Sequence, residues 1–206
     1  ISSRANKVAS FVANNFFSTL TGMKVGLSGA NLLHKIIGTS NMQGLTSFMR
    51  NISKDSLPKW SASLPRSTKI DTNFEQKSRN KKVVYFPSCI NRTMGRDSKT
   101  TVEEELFEVT IRLLQKAGYQ ILFPNNIDSL CCGMPFSSKG FNKQAKMKSD
   151  ELETALQEIS NFGEYPVLCD TSPCTKKMLE SFEGDLKIYE PIEFTLEQLK
   201  QNLDFT

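Results

Sequence analysis

Val83-Val84-Tyr85-Phe86-Pro87-Ser88-Cys89 decides how this 206-residue chain is read. Four β-favouring residues follow Lys81-Lys82, Pro87 ends the run, and a cysteine lies just beyond it. The run reads as a short strand. Outward along the chain the same order recurs. Residues 119–123 read as a second strand, with Cys131-Cys132-Gly133 after it; Pro166-Val167-Leu168-Cys169 reads as a third, with Cys174 beyond; residues 186–189 read as a fourth. All five cysteines of the chain fall in this pattern.

Helical periodicity fills the intervals. Thr101 and Glu104 give a capping-box signature before Val102, Leu106, Val109, Leu113 and Ala117, and Gly118 is the stop. Residues 141–162 form a long polar helix whose apolar side includes Ala145, Leu152, Leu156 and Ile159, and residues 194–203 form a last helix. Strands alternating with helices of this length imply parallel βαβ units. The expected fold is therefore α/β, a Rossmann-like parallel sheet of about four strands with flanking helices, over residues 81–206. In such a sheet the strand-to-helix loops emerge at one edge, the carboxyl ends of the strands. Three loops bring five sulfurs there.

The part before the sheet differs in character. Residues 1–53 read as an N-terminal helical segment: one helix over 3–20, a second from Ser28 to the stop at Gly38, and a weaker third over 42–52. Their apolar faces are expected to pack on a neighbouring domain. His34, the only histidine, reads as a partly exposed helix side chain rather than a ligand. Residues 54–80, with Pro58, Pro65 and scattered charges, read as an extended linker in which Trp60 anchors against a partner surface. Residues 1–82 hold 13 Lys and Arg against 3 Asp and Glu, whereas residues 83–206 hold 13 against 19, so a surplus of +10 faces a deficit of −6. A basic segment suits nucleic acid, an anionic membrane surface or an acidic neighbouring domain. No aromatic-interleaved basic stripe or nucleic-acid motif accompanies it, so nucleic acid is not expected. No apolar run reaches the roughly 18 residues of a membrane span, and no secretory signal is visible. A first residue of Ile rather than Met suggests a fragment or a processed product.

An odd cysteine count leaves at least one thiol outside any disulfide, and adjacent cysteines make strained partners, so a reducing cytoplasmic setting is expected. Buried structural cysteine explains one or two positions but not five at strand ends. Thiolates gathered there point to a metal. Ser172 at N-cap, Pro173 at N1 and Cys174 at N2 would put that sulfur in a helix start that favours negative charge. Gly133 would let the backbone approach a bulky cluster closely. Arg92, Arg96 and Lys139 either balance the charge of such a centre or are solvated surface residues. Thiolates in this number select iron-sulfur clusters or zinc. Zinc sites usually show short Cys-x-x-Cys or Cys/His knuckles, which are missing, so zinc is the minority option. Asp170, Glu190 and Glu193 read as caps or solvated residues. Residues 86–95 contain no Gly-rich dinucleotide fingerprint, so the chain is not expected to bind a flavin or nicotinamide of its own.

Taken together, Tyr85-Phe86-Pro87-Ser88-Cys89-Ile90-Asn91-Arg92-Thr93-Met94-Gly95, Cys131-Cys132-Gly133 and Cys169-Asp170-Thr171-Ser172-Pro173-Cys174 resemble the cysteine-rich CCG domain. That domain occurs in heterodisulfide reductases, glycolate oxidase iron-sulfur subunits and lactate-utilisation proteins. The resemblance is nearest to the C-terminal iron-sulfur region of FAD-linked D-lactate dehydrogenases and spans about residues 83–194. It implies a 4Fe-4S-type iron-sulfur cluster that relays electrons from a flavin which has oxidised a 2-hydroxy acid. Cys89, Cys131, Cys132 and Cys174 fall on the family's ligand positions. Cys169 departs from the pattern, because the last pair is usually Cys-x-x-Cys, and reads as a fifth ligand or a strand-end core residue. Relatives carry two CCG repeats and, in the fused dehydrogenases, an FAD domain. The implied partners are thus a second repeat, a flavin domain and a respiratory acceptor at the inner face of the membrane, and this piece alone is not expected to oxidise lactate. The rival expectation is a docking module whose cysteines bind zinc or nothing.

Overall fold

The computed structural model describes residues 1–53, 60–61, 63–72, 74–76, 78–97 and 104–200. Its centre is a four-stranded parallel sheet built from β2 (Lys81–Phe86), β4 (Tyr119–Leu122), β5 (Val167–Cys169) and β6 (Ile188–Tyr189) in the order β4-β2-β5-β6. The α/β fold with a four-strand parallel sheet is the one the sequence leads to. The register sets Val83 beside Ile121, Val84 beside Val167, and Phe86 beside Cys169.

Side chains of a strand alternate between faces, and here both faces are covered. Val83 and Tyr85 point to one side with Ile121 and Leu168, under Phe107 and Leu114 of α3 (Leu106–Lys116) and Phe194 of α7 (Pro191–Phe194). Val84 and Phe86 point to the other, under Leu152 and Leu156 of α5 (Asn142–Ile159) and Met178 of α6 (Ser172–Ser181). That accounts for a run of four consecutive apolar residues in β2. The sheet's first and third strands in chain order, β2 and β5, are neighbours, while β4 lies on the far side of β2. Consecutive crossovers therefore leave in opposite directions from β2, the arrangement that opens a crevice at the carboxyl ends of the strands.

Several local boundaries differ from the sequence reading. The first helix, α1 (Ser3–Asn14), opens where the Ala5 N–H donates to Ser2 Oγ at 3.2 Å, and it ends at Asn15 rather than near residue 20. The Asn15 amide donates to the Phe11 carbonyl at 2.9 Å, a local bond that competes with helix continuation. Helix α2 (Phe16–Ile52) then runs straight through Ser28, where the sequence suggests a new start, and is broken at Gly38, whose φ is +79°. Gly38 thus stops the helix as its composition suggests. At α3 the Glu105 N–H donates to the Glu108 carboxylate at 3.0 Å; the expected box with Thr101 lies outside the described residues. The C-terminal helix starts earlier than expected, with Pro191 at its first position, and passes into a wider turn over Thr195–Leu199. Residues 201–203 lie outside the described part.

Segments without strand periodicity also pair. A two-stranded antiparallel ribbon joins β1 (Pro65–Ser67) to β3 (Met94–Asp97). Further along, Gln76 spans the exposed edge of β4: its amide donates to the Ile121 carbonyl at 2.8 Å and its Oε1 accepts from the Ile121 N–H at 2.9 Å. A side chain thereby covers backbone groups that an edge strand would otherwise present. The N-terminal helices pack on the sheet unit itself at their near end, where Ala9, Ala13, Phe16 and Leu20 close over Phe136, Ala145 and Cys131. Gln144 donates to Ser10 Oγ at 2.8 Å across this junction, and buried Lys148 lies over the Phe16 ring while pairing with Glu151. Trp60 packs against His34 within the chain in a tilted ring contact, 5.2 Å between centroids, and His34 Nε2 is 2.8 Å from Thr39 Oγ1. Trp60 is thus an internal anchor rather than a partner contact, and His34 is occupied by packing.

Candidate metal centre

The carboxyl edge of the sheet gathers the cysteines by three routes. Cys89 follows β2 in a tight turn in which the Arg92 N–H donates to the Ser88 carbonyl at 3.0 Å. Cys131 and Cys132 follow a short turn at Ile127–Ser129 and precede α4 (Met134–Ser137). Cys169 is the last residue of β5, and Cys174 is in the first turn of α6. All five are free thiols; Cys131, Cys132, Cys169 and Cys174 are buried and Cys89 alone is half-buried.

The thiols influence one another's protonation in succession: Cys89 with Cys131, Cys131 with Cys132, Cys132 with Cys174, and Cys174 with Cys169. Among the described residues, no three or more His, Cys, Asp or Glu side chains are drawn around a single ion position. Proton affinity alternates along this succession. Cys131 and then Cys174 push the Cys132 thiol well down, towards the thiolate. Cys131 and the charge of Arg92 do the same for Cys89, against the opposing effect of burial. Cys131 and Cys174 are pushed up, Cys131 by Cys132 and Cys89, Cys174 by Cys132 and Cys169. The helix start at Cys174 favours a thiolate there on sequence grounds; its neighbours Cys132 and Cys169 push it the other way, and Cys132 is the one pushed towards the thiolate. The cap differs too, since Thr171 is the N-cap residue and Cys174 occupies the third helical position.

The loops are held by groups whose importance the sequence does not advertise. Asp170 sits directly after β5 and ties the Cys89 turn to it, accepting from the Ser88 N–H at 2.8 Å, from the Tyr85 hydroxyl at 3.0 Å and from Thr171 Oγ1 at 3.0 Å. Burial, with the Asp170 charge next, pushes the Tyr85 hydroxyl far up, so it stays a donor. Thr171 Oγ1 also lies 2.8 Å from Ser88 Oγ. Asp170 is therefore a brace rather than a cap or a solvated residue. A strand-end position beside a cysteine was its one signal.

Gly133 has φ +85°, and a Cβ there would collide with the Ala145 carbonyl of α5. The glycine admits the backbone of α5 rather than making room on the metal side. Its N–H lies 3.4 Å from Cys131 Sγ. The three cations separate. Arg92 is fully buried, Arg96 pairs with Glu105 at 3.7 Å, and Lys139 borders an apolar cavity of about 580 Å³. Val8, Val12, Phe16, Phe136 and Cys89 also line that cavity, which lies between the N-terminal helices and the sheet unit.

A cysteine series at three strand ends, five free thiols and a left-handed glycine after the paired cysteines characterise this segment. Residues 83–177 match the family model of the CCG cysteine-rich domain. That segment is therefore a cysteine-rich domain of the CCG kind. No curated protein and no solved structure matches the sequence. The CCG segment runs from β2 into α6 and contains all five cysteines. Its donor set fits a thiolate-ligated centre: five unoxidised sulfurs, two of them pushed towards thiolate, with a buried guanidinium acting on Cys89. No helix among the described residues is long and apolar enough to cross a membrane.

Proposed function

We infer that the CCG domain holds a 4Fe-4S-type cluster with Cys89, Cys131, Cys132 and Cys174 as ligands and Cys169 as an adjoining fifth sulfur. The observation that carries this reading is the convergence of five free thiols from three separate loops at the carboxyl edge of the parallel sheet. Five such donors suit several metal positions, whereas structural zinc favours four ligands around one point. When bound, the cluster supplies one-electron transfer. The chain's own residues supply the setting. Asp170 fixes the Cys89 turn against β5, α5 and the N-terminal helices keep water from Cys131, and the half-buried Cys89 lies nearest the outside.

On the resemblance of the same residues, the chain is the electron-transfer part of a flavin-linked 2-hydroxy-acid dehydrogenase of D-lactate or glycolate type. Its three segments are then the helical arm over 1–53, the connection over 54–80 and the CCG unit over 81–206. FAD, a second CCG repeat and a respiratory acceptor at the inner face of the membrane belong to the rest of that system, in the cytoplasm. A second reading, a docking module with zinc or no metal, draws on the exposed apolar residues of α2, among them Leu32, Ile36, Phe48 and Ile52.

Metal analysis after anaerobic reconstitution separates the two. The double variant Cys131→Ser, Cys132→Ser loses essentially all iron on the cluster reading. Undiminished iron in that variant removes these residues as ligands, and zinc in place of iron favours the docking module.

A further inference from the structure

Among the described residues, Arg92 is the largest side chain wholly shut off from solvent. One guanidinium nitrogen donates to the Ile127 carbonyl and another to the Leu130 carbonyl at 2.6 Å, and the group lies 5.5 Å from the centre of the Phe86 ring. Two bonds to neutral carbonyls leave the charge itself uncompensated, and its Nε has no partner. Among the described residues no carboxylate forms an ion pair with it. Asp170 and Asp128 act on it only through space; Asp170 is engaged by Tyr85, Ser88 and Thr171, and Asp128 faces Lys24 at 3.9 Å. A buried, unpaired cation is among the more costly arrangements in a protein interior. Something negative must answer it, and Arg92 is placed between two cysteine loops: it belongs to the turn that carries Cys89, and it bonds the Leu130 carbonyl directly before Cys131.

We propose that Arg92 is the positioning and charge-balancing residue of this centre. Its fork fixes the Leu130 end of the paired-cysteine loop to the Cys89 turn that carries it, and its charge offsets the negative charge of the ligated sulfurs. The role rests on the iron-sulfur reading above and extends it to a residue outside the cysteine series. Arg96 and Lys139 do not share it: Arg96 is paired with Glu105 and Lys139 lies at the cavity border. A reduced cluster carries one more negative charge than an oxidised one, so a fixed cation beside it favours reduction, and net charge is one of the determinants of cluster potential.

The test compares wild type, Arg92→Gln and Arg92→Lys after anaerobic reconstitution with iron and sulfide, measuring iron per chain and the cluster midpoint potential. Arg92→Gln keeps an amide donor but removes the charge. Its reduced-to-oxidised ratio at fixed potential should fall about tenfold, a downward shift of about 59 mV for one electron. Arg92→Lys keeps the charge but lacks the planar fork, so it should retain less iron while the bound cluster stays near the wild-type potential. Should Arg92→Gln not fold, the Arg92→Lys potential decides: a tenfold downward shift there overturns the charge role. Equal shifts in both variants, or none in Arg92→Gln, overturn it as well. Iron-loaded wild type with an unshifted Arg92→Gln removes only this role, whereas wild type that takes up no iron removes the cluster reading and this role together.

Discussion

The parallel sheet and helix α2 are both rich in apolar residues, yet they use them differently. In the sheet, β2 buries Val83, Val84, Tyr85 and Phe86 between helices on both sides. In α2 the buried residues are Phe16, Leu20 and Met42, while Val25, Leu32, Ile36, Phe48 and Ile52 stand in the open. The sheet unit completes its own core, and the arm joins it at its near end, where Ala9, Ala13, Phe16 and Leu20 close over Phe136, Ala145 and Cys131. Stability and site integrity should therefore depend on the near end of the arm and hardly at all on its far end.

Phe16→Ala tests that division most strongly. Phe16 packs 6.3 Å from the Phe136 ring and beneath Lys148, so its loss should cost about 3 kcal/mol in denaturant unfolding and lower iron retention together. A loss of stability confined to the arm, with the site intact, would break the claim that the two are joined. Gly133→Ala comes next, at about 2 kcal/mol or more, because the residue is left-handed and its new methyl would meet the α5 backbone. Here the shift in unfolding midpoint should accompany displacement of the Cys131-Cys132 loop. The smallest effect is expected for Phe48→Ser, within about 0.5 kcal/mol, since an exposed side chain far from the site loses little on truncation. A large destabilisation there would mean that the far part of α2 is packed after all.

Much of the sheet was legible because its strands are short β-rich runs closed by Pro or Gly, and because parallel topology sends their loops to one edge. The five cysteines were legible for the same reason. What could not be read depends on pairing distant in sequence or on chemistry that looks ordinary locally. Pro65–Ser67 and Met94–Asp97 are polar stretches with no alternation, and only their pairing makes them strands. Arg92 reads in sequence as either a charge-balancing or a solvated arginine, and its burial appears only when Ile127 and Leu130 turn their carbonyls towards it. Asp170 looks like a strand-end cap, and its role as a brace appears only when Ser88 and Tyr85, more than eighty residues earlier, come within reach. The reversal at Cys174 has the same origin, since a helix start is visible in sequence but thiol neighbours across three loops are not.

The most direct test of the centre is anaerobic reconstitution of the unaltered chain with iron and sulfide, followed by iron and sulfide analysis and visible spectroscopy on reduction. A 4Fe-4S-type site on Cys89, Cys131, Cys132 and Cys174 predicts stoichiometric uptake of both and broad visible absorption that fades when reductant is added. A chain that stays colourless, with no bound iron or sulfide and its five thiols still free, would contradict it.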